Sequence, residues 1–255
     1  MRAVLALAAL VAGLALAGCG DDDEGATTTD TTTTSVESAQ VRVYFLRDGK
    51  VWPVARKVAE GGDVGGQILA ELYEGPTEDE RELGFEGALS PNDESAEISQ
   101  LRISSGRATY RAPRALTQAG LAQVVYSLTH LDPVVTTVEI DGTSYTRADF
   151  EEQTPAVLVE SPLPFEEVTS PITASGTANT FEATFHYELT DTDGLIVDEN
   201  FVTATSGSGT RGTFEFTTDE FTVPFDGIGS LIVFERSAED GSKVNIVEIP
   251  LRMSG

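Results

Sequence analysis

The sequence predicts an α+β protein, with an N-terminal mixed sheet carrying two helices and a C-terminal all-β sandwich. Three observations carry that reading. Between residues 41 and 150, β-rich runs alternate with two apolar stretches of helical spacing. From about residue 155 the helical period disappears and short β-rich runs follow, with turn signals about every 10 residues. Thr154-Pro155 and Ser161-Pro162-Leu163-Pro164 punctuate the join. The length of 255 residues and the 40% hydrophobic content fit one large or two ordinary domains with packed cores.

In the first region, Val41 to Leu46 and Val51-Trp52-Pro53-Val54 flank Asp48-Gly49, which predicts a hairpin. Pro53 has no N–H, so the second strand belongs at an edge or bulge. Asp63 caps a helix that carries Ile68, Leu69 and Leu72 on one face and stops at Gly75-Pro76. After a polar connection, Ile98 to Ile103 and Ala108 to Tyr110 flank Ser105-Gly106 as a second hairpin. Leu121, Val124, Val125, Leu128 and Leu131 recur at helical spacing behind Thr117 as cap, and Val134 to Ile140 closes the unit as a strand. This order suggests a mixed sheet covered by helices. The expected boundaries are a domain over 41–150, a linker over 151–164 and the sandwich over 165–255.

Seven runs make up the second region: 172–176, 181–189, 195–205, 212–217, 221–224, 229–235 and 243–251. In the second of these Phe181, Ala183, Phe185, Tyr187 and Leu189 alternate with Glu182, Thr184, His186 and Glu188. One face is therefore buried and the other wet, and His186 points outward.

The N-terminus reads as an export signal over residues 1–18: Arg2, then an apolar and small run from Ala3 to Ala17. A run of about 15 residues is short for a bilayer-spanning helix, which needs roughly 20. It ends in Leu16-Ala17-Gly18-Cys19, which resembles the lipobox of bacterial lipoproteins. That resemblance implies cleavage between Gly18 and Cys19 and a lipid on the Cys19 sulfur, palmitate among its acyl chains. Stable anchoring follows from several chains on one residue. Residues 19–40 hold Asp21-Asp22-Asp23-Glu24 and a threonine run without apolar periodicity, and so read as a disordered tether.

Two further resemblances emerge. Val43-Tyr44-Phe45, Leu72-Tyr73-Glu74-Gly75-Pro76-Thr77 and Gln123 to Thr129, ahead of the strand from Val138 to Gly142, are similar to the GerMN domain of sporulation and spore germination proteins. That implies an exported α/β domain related to the ring-building domains of secretion machinery, with no catalytic residues to carry over. Val168 to Ile172, Ser175 to Asn179, Phe181-Glu182-Ala183, Val233 to Ser242 and Ile249-Pro250-Leu251 resemble the immunoglobulin-like domain of bacterial spore germination. That family commonly follows a GerMN domain in one exported chain, and the resemblance implies recognition in the cell envelope. Where many members carry a tryptophan after the position of Gly212, this chain has Thr213-Phe214, which weakens an aromatic platform for glycans.

The formal net charge is −26, from 42 Asp+Glu against 16 Lys+Arg. Nucleic acid is excluded as a partner, because phosphate affinity comes from Lys and Arg, and a protein lying flat on anionic lipid is disfavoured too. The excess is uneven: residues 41–150 hold 17 acids and 11 bases, residues 153–255 hold 17 acids and 4 bases. A basic partner should therefore meet the sandwich. One Cys and two His, His130 and His186 in different regions, supply neither a disulfide, a soft-metal site nor a nucleophile–base pair. No catalytic residue, cofactor or metal is expected. His130 reads as a surface or capping residue at a helix end, where a cation is favoured. Trp52 reads as edge-strand packing rather than a sugar platform, and Glu78, Asp79, Glu80 and Glu82 as a solvated face. Asp191-Thr192-Asp193-Gly194 reads as a hairpin turn rather than a calcium loop. The expected protein is a non-enzymatic, lipid-anchored envelope protein, facing the extracytoplasmic side and binding envelope proteins. A cell-wall polysaccharide or small ligand is the alternative.

Overall fold

A computed structural model describes residues 38–89, 101–131 and 134–255, all of them within one compact unit. The first hairpin is β1 (Ser38–Arg47) and β2 (Lys50–Ala59), in unbroken antiparallel register from Ser38 opposite Ala59 to Arg47 opposite Lys50. Asp48 and Gly49 both take positive φ, 52° and 72°, the pairing that a two-residue hairpin turn requires. The ribbon begins at Ser38, inside the stretch expected as tether, because main-chain pairing needs no apolar side chain.

Helix α1 (Val64–Glu74) starts where Asp63 Oδ1 accepts the Gly66 N–H at 2.9 Å and stops at Gly75, φ 88°, ahead of Pro76. Ile68, Leu69 and Leu72 are fully buried. A short α2 (Glu78–Glu82), invisible to apolar periodicity, is set by a capping box between Thr77 and Glu80. Then come β3 (Arg102–Ser104), β4 (Arg107–Tyr110), α3 (Gln118–Leu128), β5 (Thr137–Ile140) and β6 (Thr143–Tyr145). They form a mixed sheet in the order β3-β4-β5-β6, with β4 and β5 parallel and α3 as their crossover. Residues 98–100, expected at the start of the second hairpin, lie outside the described residues. The mixed sheet thus excludes β1 and β2, which stand apart as a two-stranded sheet.

A 3-10 segment, Arg147–Gln153, leads to β7 (Val157–Ser161). The following strands are β8 (Glu167–Val168), β9 (Thr173–Ala178), β10 (Thr184–Thr190), β11 (Ile196–Thr203), β12 (Gly212–Thr217), β13 (Gly227–Arg236) and β14 (Lys243–Met253). They build two sheets, β12-β9-β7 and β11-β10-β13-β14-β8. The expected linker over 151–164 is therefore corrected: its buried Val157, Leu158 and Val159 form a strand paired to β9. The run at 221–224 is not a strand. Its Phe221 N–H bonds the Ser170 hydroxyl at 2.7 Å, and Pro224 has no donor to offer a ladder. Phe185 against Phe214 at 4.8 Å and Tyr187 stacked on Phe216 at 4.4 Å lock the sheets face to face.

Candidate functional site

A buried polar cluster lies where α3 meets β1. Gln123 and Ser127, one turn apart on α3, and His130, two residues past its end, all bond the free edge of β1. Ser127 Oγ accepts the Tyr44 N–H at 2.9 Å, the Gln123 amide donates to the Tyr44 carbonyl at 3.0 Å, and His130 Nε2 accepts the Arg42 N–H at 3.1 Å. These side chains here do the work of a neighbouring strand, pairing three main-chain groups of the β1 edge. Burial, with Arg42 and Arg147 nearby, pushes His130 down to about 4. It is neutral at pH 7, which corrects the expectation of a surface cation.

Beside it, Tyr44 donates its hydroxyl to Glu160 on β7, and Arg147 reaches the same Oε1 at 2.8 Å. The Arg147 guanidinium also stacks over Tyr126, 4.7 Å from the ring centroid, and its Nε donates to Thr129 Oγ1 at 2.6 Å. Burial would raise the Glu160 carboxyl, but Arg147 and Tyr44 outweigh it and hold the group below the usual carboxylate range. Tyr44 is pushed up, by burial first and then by the Glu160 charge. A second pair runs the other way along the same segment: Glu151 takes Arg211 through two bonds of 2.8 and 3.0 Å. Tyr44 and Arg147 both donate to Glu160 Oε1, so the cluster ties the first region to β7. His130 Nε2 accepts a main-chain N–H, which occupies the nitrogen that a general base would use.

The exposed face of the five-stranded sheet is different. Phe201, His186 and Phe234 are register partners across β11, β10 and β13, and residues paired across strands share a face. The row continues on β14, where Asn245 at φ 52° marks an extra residue and Ile246 follows it. Phe201 is 62% and Ile246 55% exposed. Phe234 is buried beneath the His186 ring at 5.7 Å and the Lys243 ammonium at 4.5 Å. The next row along the strands is Glu199, Glu188, Ile232 and Glu248. Lys243 pairs with Glu188 at 2.5 Å, while Glu199 has no cation among the described residues. The face is an apolar strip rimmed by carboxylates.

Gly18 and Cys19 lie outside the described residues, as does most of the acidic tether. His186 stands on the outer face, as the alternation predicts. Trp52 is packed, edge-on to Phe85 at 6.5 Å with the Arg47 guanidinium above it at 5.0 Å. Phe214, next to the position of the missing tryptophan, is a core residue. Asp191 Oδ1 accepts the N–H groups of Asp193 and Leu195, both at 2.9 Å, and so shapes the turn. The acidic run at 78–82 is only partly solvated. Glu80 takes the Arg56 guanidinium through bonds of 2.6 and 2.7 Å, and Arg56 also reaches Glu71 at 3.0 Å. The α3 stripe and the Glu160 latch escape sequence reading because their partners lie up to 116 residues away. The one local signal was two polar residues, Gln123 and Ser127, on an otherwise apolar helix face.

The sequence model of the family described as immunoglobulin-like domain of bacterial spore germination matches residues 156–242, so the sandwich is a domain of that type, from β7 to the start of β14. That family is linked to spore germination by its description. No curated protein matches the sequence significantly. Among solved structures, the chain aligns with the tandem GerMN domains of the sporulation protein GerM from Bacillus subtilis. Identity there is 21% and the TM-score 0.30, with 46% of this chain and 43% of that chain covered. The chain thus spans less than half of that protein. A second alignment is with WR4, an MSP family member of C. elegans, at 14% identity and TM-score 0.24, covering 40% of this chain and 98% of that one.

Proposed function

We propose that this is a non-enzymatic envelope protein, anchored by lipid on Cys19, whose sandwich binds a basic partner protein through the exposed face of its five-stranded sheet. The observation that carries the reading is the strip formed by Phe201 and Ile246 beside Glu199 and Glu248. Large exposed apolar side chains in a row mark interaction surfaces, and carboxylates along the row select cations. With 17 acids and 4 bases in residues 153–255, the domain's long-range field attracts the same partner. The lipobox-like Leu16-Ala17-Gly18-Cys19 supports the anchor, and the family matched at 156–242 supports an envelope setting.

In-cell crosslinking from a photoreactive residue at 201 tests the face. A protein adduct that weakens as ionic strength rises supports it, whereas a glycan adduct moves the function to wall-polymer binding. Fractionation of Cys19→Ala tests the anchor: retention in the membrane fraction would refute it.

A further inference from the structure

Between the first region and the sandwich runs a cleft made of two adjoining hollows, of about 370 and 330 Å³, that share Leu83, Phe85, Pro164 and Phe165. Clefts of this size, largely apolar with a few polar groups and placed between packed units, are where small ligands bind. Two features set this one apart. Phe165 holds a left-handed backbone, φ 63°, which a bulky residue adopts only at a cost. Its N–H is tied to the Pro250 carbonyl at 2.7 Å, and the carboxylate of Glu166 accepts the Leu163 N–H at 2.7 Å. The loop is thereby fixed with the Phe165 ring lining both hollows.

The second feature is charge. Arg47 opens onto one hollow and Arg252 onto the other, and neither guanidinium has a carboxylate partner among the described residues. Both are stacked instead, Arg47 over Trp52 at 5.0 Å and Arg252 over Phe165 at 5.9 Å. Stacking uses the face of a guanidinium and leaves its N–H edge open to an anion. What distinguishes these two arginines is their place, each stacked on an aromatic ring at the edge of an apolar hollow. Three acids also stand on the rim: Glu80 is bound to Arg56, Glu248 accepts from the Ser230 hydroxyl at 2.8 Å, and Asp79 lines the hollow of Arg252.

We infer that the cleft binds the C-terminal end of a peptide, with its carboxylate on Arg47 or Arg252 and its apolar last side chain against Phe85 and Phe165. The same chemistry could come from a fatty acid. The peptide is favoured because the rim also carries acceptors, Glu248, Asp79 and Thr77, which suit amide donors that a fatty acid lacks. The cleft adjoins the sheet face above and shares Glu248 with it, but Arg47, Arg252 and Phe165 belong to the cleft alone.

The test uses the whole chain and acetyl-Ala-Ala-Phe with a free carboxylate, its C-terminal amide, and decanoate. Trp52, the single tryptophan, touches both Arg47 and Phe85 and reports the site by fluorescence, with calorimetry for the variants. The free acid is expected to bind at least tenfold more tightly than the amide, since a hydrogen bond to a charged group contributes about 1.5–3 kcal/mol. Arg47→Gln, Arg252→Gln or both should lose about tenfold. Ile228→Glu, which places a carboxylate at an exposed cleft position, should also weaken the acid while leaving the thermal midpoint near that of the parent. Equal affinity for acid and amide, or full binding in both Arg variants, overturns the inference. Tighter binding of decanoate than of the peptide overturns the choice of ligand.

Discussion

In the sequence, residues 41–150 and 153–255 hold equal numbers of acids and use them differently. Among residues 41–150 the 17 acids sit with 11 bases, and the important pairs are shielded: Arg56 with Glu80, Arg147 with Glu160 at the border. Among residues 153–255 the 17 acids have only 4 bases, and the cohesion comes from apolar packing, with Phe185, Leu189, Leu231 and Val233 at zero exposure. Both halves have apolar cores; the ion pairs with both partners largely shielded, Arg56 with Glu80 and Arg147 with Glu160, lie in the first half and at its border. The lesson is that a high net charge is compatible with a stable fold when the surplus is confined to a domain whose core needs no ion pairs, and the same surplus is then free to select partners.

That contrast can be broken most forcefully at Glu160. Glu160→Ala leaves Arg147 and the Tyr44 hydroxyl buried without their acceptor, a loss of about 3–5 kcal/mol by denaturant unfolding. Because the desolvation of the pair is costly too, the double replacement Arg147→Met/Glu160→Met should recover much of the deficit. A double variant as unstable as the single one would show that the charges are needed for more than each other.

The sandwich should fail for a different reason. At Gly176 on β9, an added Cβ would stand 2.0 Å from the Leu158 carbonyl oxygen and 2.9 Å from the Phe214 ring. Gly176→Ala should therefore cost about 2–3 kcal/mol through overpacking. Thermal unfolding close to that of the parent would mean that β7 and β9 can separate, and that the sandwich is less tightly packed than its core suggests.

The third effect is one of pH. His130 is lowered to about 4 in the folded chain and returns to about 6.5 when unfolded. The unfolded chain takes up a proton as pH falls below about 6.5, and the folded one does so only near 4. The contribution is thus complete above pH 6.5 and shrinks as pH falls toward 4. About 2 kcal/mol should disappear between pH 7 and 5. In His130→Gln, whose amide oxygen can still accept the Arg42 N–H, this loss should vanish. Glu160 and Glu151 are both held low, Glu160 against its burial by Arg147 and Glu151 by Arg211 first. They add to acid destabilisation only below the ordinary carboxylate range, so the two windows are separable by titration.

What the sequence disclosed follows the same division. Asp48-Gly49, Gly75-Pro76 and the caps Asp63 and Thr117 were legible because each acts within a few residues. The alternation in β10 was legible at Phe185, Tyr187 and Leu189, which are buried, but not at its ends: Phe181 lies in a 3-10 turn before the strand and is 69% exposed, and Glu188, expected to be wet, is buried beside Lys243. β7 was missed because flanking prolines masked a five-residue strand whose partner is β9. The α3 stripe was missed because a buried Gln or Ser has meaning only with its acceptor known, and β1 lies about 80 residues upstream. The acidic strip was half legible: the charge could be counted, but its alignment beside Phe201 and Ile246 depends on cross-strand register.

The smallest stability effect makes the sharpest comparison. Glu199→Gln removes an exposed carboxylate with no cation among the described residues, so stability should change by less than about 0.5 kcal/mol, an order of magnitude below Glu160→Ala. Its consequence should appear in binding instead. Losing one carboxylate from the strip should slow association with a basic partner and flatten the dependence on ionic strength, while dissociation changes little. If Glu199→Gln unfolds the sandwich, carboxylates support both halves and the division is wrong. If association is untouched at low salt, the partner meets another face. Only unchanged stability combined with slower, less salt-sensitive association fits a domain whose surplus charge is kept for recognition.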